Sequence, residues 1–230
     1  MMNSSSDRLV AAIIEAAAKK DGRPGEDSIP HGPVVTVSRD HGSGGGQIAE
    51  RLAKRLGVRL FDKDLFKAIV DDAQIETYLL RQLDEHVQKR TTEWVHTLLT
   101  GHGAFKEDYR RHLVNVVLGI AEIGGVIVGR GANHILNQRN LFRLRVVGSP
   151  EVCARRVAER DGLEFEEALR VVEKVNAERA GFVRSLYRRD IADASCYDLV
   201  VNTDRLGFDE CVELVAAAME RMELLKPAAA

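Results

Sequence analysis

The sequence predicts an α/β fold in which five parallel strands form one sheet flanked by helices. Three observations carry this. Short β-branched and apolar runs alternate with stretches of helical periodicity along most of the 230 residues. The first run, "VVTV", opens into the glycine-rich "SRDHGSGGGQ", and an amphipathic segment follows directly. The run "VIV" at Val126–Val128 is apolar throughout, as befits a strand covered on both faces of a parallel sheet.

Arg8–Lys20 reads as a short helix with Leu9, Ile13 and Ala17 on one stripe, and "DGRPGEDSIPHGP" as a linker. Residues 1–32 are therefore an N-terminal helix and linker, and the domain proper begins near Pro33. Val34–Val37 is the first strand and Gly42–Gly46 a loop. Gln47–Leu56 is a helix, with Ile48, Leu52 and Leu56 at i, i+4, i+8. Val58–Phe61 is the second strand and Lys63–Val70 a helix; Gln74–Ile123 reads as mostly helical, a helical insertion before the third strand at Val126–Val128. Leu141–Val147 is the fourth strand. "SPEVCARRVAER" starts a helix with Ser149 as N-cap and Pro150 at its first position. Glu164–Arg188 is helical, "YDLVVNT" is the fifth strand, and Phe208–Leu225 is a closing amphipathic helix before the tail at 226–230.

Composition narrows the function classes. A net charge near −2 argues against bulk electrostatic binding to nucleic acid. Apolar stretches fall far short of the roughly 20 residues a membrane helix needs, and residues 1–30 lack the ordered regions of a secretory signal. Cys153, Cys196 and Cys211 lack metal-ligand spacing and read as reduced thiols. Together these point to a cytoplasmic protein with no membrane partner, one that acts on small molecules, with a homo-oligomer possible.

In the glycine cluster, Gly42, Gly44, Gly45 and Gly46 lack a Cβ, so backbone N–H groups can turn inward and approach an anion. The helix that follows adds its free N–H groups and the positive end of its dipole. This reads as a phosphate or pyrophosphate cradle, with a tight glycine turn between strand and helix as the plainer alternative. Two patterns compete for it. G-x-G-x-x-G fails at its last position in "GSGGGQ", although Asp62, twenty residues beyond Gly42, is placed to hold a ribose. G-x-x-x-x-G-K-[ST] puts its second glycine at Gly44, its lysine at Gly45 and its first glycine at Arg39.

The later residues bear on that choice. Between Arg130 and Asp190 stand 13 Lys/Arg against 9 Asp/Glu. Arg179, Arg184, Arg188 and Arg189 fall close together, with Arg184 and Arg188 on one helix face. Guanidinium groups match phosphate oxygens bidentately and keep their charge, so arginines on a late helical arm suggest a lid over transferring phosphates. "VIVGRGANHIL" sets Arg130 just past a buried strand, where it can grip an acceptor's phosphate.

"TVSRDHGSGGGQIAERLAKRLGVRLFDKDLF", "VIVGRGANHIL" and "RAGFVRSLYRRDIADASCYDLVVNTDRLGFDECVELV" together resemble the cytidylate kinase-like family of P-loop nucleoside monophosphate kinases, over about residues 33–225. That family's loop commonly reads S-R-x-x-G-S-G-G, so the lysine-free loop is a group trait. The resemblance implies a three-layer P-loop NTPase/nucleoside monophosphate kinase fold, with an acceptor-binding insertion and a helical lid at about 164–194. It implies transfer of the ATP γ-phosphate, with Mg²⁺, to CMP, dCMP or a related nucleotide. Carried over, Gly42 and Ser43–Gly46 cradle the donor phosphates with Gln47 beside them, Asp62 and Arg130 lie near the acceptor, and Arg184, Arg188 and Arg189 belong to the lid. Well-characterised cytidylate kinases differ at three positions: lysine at Gly45, a hydroxyl residue at Gln47 and aspartate at Gly131. Arg39 is the candidate to replace the lysine, and Asp40, Asp62 or Asp190 to help hold Mg²⁺ through water. His41 and His134 are expected to be structural, and Trp94, Phe105 and Tyr109 to be core or interface. Three readings stand at this point: an active nucleotide kinase, a nucleotide-binding sensor with weak or absent catalysis, and a dinucleotide-dependent enzyme.

Overall fold

The computed structural model describes residues 32–62, 113–114, 117–118, 120–121, 124–136 and 140–225. The expected helices at Arg8–Lys20 and Lys63–Val70, and Trp94, Phe105 and Tyr109, lie outside these. The chain forms two compact units, one of Met1–His31 with Phe61–Gly124 and one of Gly32–Leu60 with Gly125–Ala230. In the former, the described residues from 113 to 121 are helical, and Leu113, Val117, Ile120 and Ala121 are buried at helical spacing.

Five strands make the sheet: β1 (Val34–Arg39), β2 (Leu60–Phe61), β3 (Gly125–Val128), β4 (Phe142–Val147) and β5 (Leu199–Asn202). Their order is β2-β3-β1-β4-β5. β1 pairs in parallel with β3 on one side and β4 on the other, and β4 pairs in parallel with β5. Val35, Val37, Val126, Phe142, Leu144 and Val146 are all buried, because helices cover the sheet. β1 runs two residues further than its apolar stretch predicts. Ser38 and Arg39 still pair with Arg145 and Val146 of β4, so the strand delivers Arg39 to its very end.

Among the described residues of the unit Gly32–Leu60 and Gly125–Ala230, the helices are α1 (Gly45–Leu56), α2 (Ala132–Ile135), α3 (Pro150–Asp161), α4 (Phe165–Tyr187) and α5 (Phe208–Arg221). α1 buries Ile48, Ala49, Leu52 and Ala53 against the core and stops at Gly57, whose φ of 65° only glycine adopts readily. It starts two residues earlier than its apolar stripe suggests: Gly45 and Gly46 form its first turn. α3 begins as its sequence predicts, with the Ser149 hydroxyl accepting from Val152 N–H at 3.4 Å and Pro150 in the first turn. α4 packs Ala168 and Val172 against Cys153, Ala154 and Val157 of α3. α5 closes over the main core through Cys211, Val212, Val215 and Met219. It ends at Arg221, four residues short of the expected Leu225.

This order is informative about the loop. Dinucleotide-binding sheets run 3-2-1-4-5-6. Here β3 is inserted between β1 and β2. The strand after β1 in space is thus not the next in sequence, and the loop at the carboxyl end of β1 stands where the chain switches sides, the place where such sheets bind ligands.

Candidate functional site

The turn after β1 is built from the backbone outward. Gly42 has φ 82° and Gly44 has φ 77°, both left-handed. A Cβ on Gly42 would lie 2.5 Å from the carbonyl oxygen of Cys153, and one on Gly44 would enter the ring of Phe208. Gly46 is different, with nothing within 4 Å of its missing Cβ. The loop is closed by the Ser43 hydroxyl, which donates to the Asp40 carbonyl at 2.9 Å. Ser43 is wholly buried, so its side chain braces the turn from inside, and its carbonyl accepts from Thr203 Oγ1 at 2.8 Å.

A cleft of about 460 Å³ opens over this turn, lined by Arg39, Gly42, Gly44, Gly45, Gly46 and Gln47 together with Asp40, His41, Arg156, Arg160, Arg179 and Phe208. The structure brings most of the predicted loop into one cleft, together with Arg179, which the sequence grouped with the lid arginines, and with Arg156, Arg160 and Phe208, which sequence reasoning missed. Arg156 Nη2 donates to the Thr203 carbonyl at 2.6 Å and Nη1 to Thr203 Oγ1 at 2.9 Å. The guanidinium carbons of Arg156 and Arg51 each lie 5.4 Å from the Phe208 centroid, within cation–π range. Arg160 forms a bidentate pair with Asp161 at 2.7 and 2.6 Å.

Helix α4 holds the same turn. The Asn176 side chain accepts from His41 N–H at 2.7 Å, and Arg179 Nη1 donates to the Arg39 carbonyl at 2.9 Å. Ala168, Val172, Asn176, Arg179, Val183 and Tyr187 form one helical stripe of α4. Two polar residues inside an otherwise apolar stripe were the signal in the sequence. Burial pushes the Arg179 guanidinium below its ordinary value, with Asp40 opposing this. Burial also lowers His41, helped by the charges of Arg179, Arg160 and Arg39. The cleft therefore concentrates positive charge beside the N-terminus of α1, where free N–H groups and the helix dipole favour an anion.

Arg184, Arg188 and Arg189 are exposed near the end of α4 and do not line this cleft. Arg188 caps the helix in a left-handed conformation, φ 54°. Arg189 lies toward α2, where its charge, after burial, lowers His134. Arg130 sits in the turn after β3. Gly129, Arg130 and Gly131 have φ of 80°, 57° and 66°, three positive values in succession. A non-glycine residue held there stores about 1–3 kcal/mol of strain, a cost that clusters at functional turns. Tyr187 donates from its hydroxyl to the Arg130 carbonyl at 2.8 Å, and its ring fills the space a Gly131 side chain would need. His134 stacks on that ring at 5.3 Å. Asp62 follows β2, half-buried, in the other compact unit.

The family model of the cytidylate kinase-like family matches residues 34–205. The chain belongs to the cytidylate kinase-like family. The cytidylate kinase of Ignicoccus hospitalis is 29% identical over 188 residues, covering 79% of this chain and 96% of that protein. The cytidylate kinase of Methanothrix thermoacetophila is 29% identical over 194 residues, covering 83% and 99%. Among solved structures, an uncharacterized protein from Eubacterium ventriosum superposes with a TM-score of 0.62 at 21% identity, over 82% of this chain and 98% of that one, a likeness of fold. Family membership and the strand order together set aside the dinucleotide reading. No described helix is long and apolar enough to cross a membrane.

The fit of ATP and Mg²⁺ is uneven. A polyphosphate suits a glycine turn ringed by arginines. Among the described residues there is no group of three His, Cys, Asp or Glu that could hold a metal. Asp40 is committed to Arg145, itself 6% exposed, through a 2.5 Å ion pair. Asp190 accepts from Ala192 N–H at 2.9 Å in an exposed turn.

Proposed function

We propose that the chain is a nucleoside monophosphate kinase, transferring the ATP γ-phosphate to CMP, dCMP or a related nucleotide in the cytoplasm. The observation that carries this is the cleft after β1, in which a glycine turn and helix N-terminus face Arg39, Arg156, Arg160 and Arg179. In this reading the N–H groups of Gly42 and Gly44–Gln47 take the donor phosphates. Arg130 takes the acceptor phosphate, with Asp62 assigned to the acceptor from the family pattern. Arg184, Arg188 and Arg189 form the lid's charge. An acceptor phosphate oxygen forms the new bond to the γ-phosphorus while the bond to the β,γ-bridging oxygen breaks. The electron pair leaves with ADP, and the acceptor becomes a diphosphate. The protein's share is positioning and charge stabilisation. Mg²⁺, when bound, neutralises phosphate charge; with so few carboxylates to spare it would be held mainly by phosphate oxygens and water, as Mg²⁺ commonly is, with the Gln47 amide oxygen as a protein contribution.

A coupled ADP-release assay across CMP, dCMP, UMP, AMP and GMP tests the proposal. Turnover with a pyrimidine monophosphate is expected, and ATP binding with no turnover on any acceptor would defeat it. That outcome would favour the second reading, a nucleotide sensor, for which the specific observation is glycine at position 45 and glutamine at position 47.

A further inference from the structure

We propose that the loop's cation and its side-chain-free position have exchanged places: Arg39 supplies the phosphate-binding charge that a P-loop draws from lysine, and Gly45 is glycine because Arg39 is not. The inference rests on the kinase reading above and deepens it. In G-x-x-x-x-G-K-[ST] the first position is glycine and the seventh lysine. Laid on this chain those positions are Arg39 and Gly45, glycine and cation reversed.

Packing at this junction explains why the reversal has to be complete. A Cβ on Gly45 would lie 2.5 Å from Arg39 Cβ and 3.1 Å from Arg39 Cγ, with Val146 Cβ at 3.3 Å behind it. The end of β1 and the first turn of α1 therefore approach too closely for both residues to carry side chains. One must be glycine, and the other is then able to hold the charge. The 2.5 Å overlap involves the rigid root of the arginine, so rotating its far end does not relieve it.

The far end is placed by a second glycine. A Cβ on Gly129 would lie 2.6 Å from Arg39 Nη1. The side chain thus leaves the base of the glycine turn and brings its guanidinium over the residue that precedes Arg130. Its carbonyl is tied to Arg179, and Gly129 N–H is tied to the Val37 carbonyl at 2.9 Å, so both ends of its path are fixed. Arg39 lines the cleft at its root and reaches the turn after β3 at its tip. That is the interval a γ-phosphoryl group crosses between donor and acceptor. A planar, permanently charged guanidinium can meet oxygens of two phosphate groups there, where a lysine would offer one point charge.

The test has a stability arm and a nucleotide arm. In the stability arm, Gly45→Ala is expected to lower Tm by about 5 °C or more in the wild-type background, and by clearly less beside Arg39→Gly, since the two side chains compete for one space. In the nucleotide arm, Arg39→Met keeps the bulk and removes the charge. It is expected to weaken ATP binding measured calorimetrically in EDTA about tenfold, and to lower kcat about 100-fold, the scale of losing one preorganised charge donor. The double variant Arg39→Gly/Gly45→Lys is expected to regain at least about tenfold in kcat over Arg39→Gly alone. The exchange is overturned if Gly45→Ala costs the same in both backgrounds, or if Arg39→Met leaves ATP affinity and kcat at wild-type values. If the wild-type protein binds no ATP, the kinase reading falls and takes the phosphate role of Arg39 with it, while the stability arm still reports on the packing.

Discussion

The turns after β1 and after β3 stand side by side at the carboxyl ends of paired parallel strands, and both are rich in glycine with positive φ. They differ in what the glycines leave open. After β1 the turn feeds a helix of 12 residues, and Gly46 faces open space within the cleft. After β3 the helix has four residues, and the faces of the turn are occupied, Gly129 by the tip of Arg39 and Gly131 by the ring of Tyr187. In both turns the protein's own atoms fill most glycine faces, in the first Gly42 by the Cys153 backbone, Gly44 by the Phe208 ring and Gly45 by Arg39, but the first leaves Gly46 open to the cleft, whereas the second presents a single strained arginine. Glycine therefore marks two different things here, open space at Gly46 and a seat for a neighbouring group at the others, and only the structure separates them.

That contrast is open to attack in order of expected effect. Gly42→Ala should be the most damaging: its Cβ meets Cys153 backbone and its φ of 82° disfavours a side chain. A loss of about 2–5 kcal/mol is expected by denaturant unfolding, and a neutral result would mean the turn is not held as described. Arg156→Ala comes next. It strips Thr203 of its charged partner while leaving the Thr203 bond to the Ser43 carbonyl, for about 2–3 kcal/mol and weakened ATP binding; calorimetry with unchanged affinity would remove Arg156 from the donor site. Tyr187→Phe loses one hydrogen bond to the Arg130 carbonyl, about 1 kcal/mol. Its signature should be a raised KM for the acceptor with ATP KM unchanged, whereas equal effects on both would erase the distinction between the turns. Gly46→Ala should raise stability by about 0.5–1 kcal/mol, because it trades glycine for alanine in a helix turn with room to spare.

A smaller effect concerns pH. His41 titrates below its unfolded value, mainly through burial and then through Arg179, Arg160 and Arg39, with Asp161 opposing. Below about pH 6.5 the unfolded chain binds the proton that the folded chain resists, so stability falls as pH drops through that range. Bound phosphate would oppose this by favouring the charged imidazole. Urea titrations between pH 7.5 and 5.5 should show a shallower slope for His41→Gln than for wild type; parallel slopes would mean that His41 is not held neutral.

Much of the frame was legible in the sequence because it rests on periodicity. Val35, Val37 and the apolar β3 announce buried strands, and Ile48 and Leu52 announce the covered face of α1. The Ser149–Pro150 start of α3 follows from capping chemistry alone. The composition of the cleft was only half legible. The glycines and Arg39 were visible as a motif, but Arg156 and Phe208 join from α3 and α5, and no local pattern ties residues so distant in sequence to one turn. Ser43 reads as a phosphate ligand by its place in the motif, yet its hydroxyl is spent on the Asp40 carbonyl inside the turn. The late arginines illustrate the same limit. Sequence proximity grouped Arg179 with Arg184 and Arg188, whereas helix phase sends Arg179 into the cleft and leaves the others outside.

Helix α4 also acts as a ruler. Asn176 fixes its position at the turn after β1 and Tyr187 at the turn after β3. The eleven-residue step from Asn176 to Tyr187 spans about 16 Å in three turns. Inserting one residue there would advance Tyr187 by about 1.5 Å and swing it about 100° off its seat. The spacing between these two contacts is thus a fixed dimension of the molecule, set by the number of residues between them and not by the side chains on the helix's outward face.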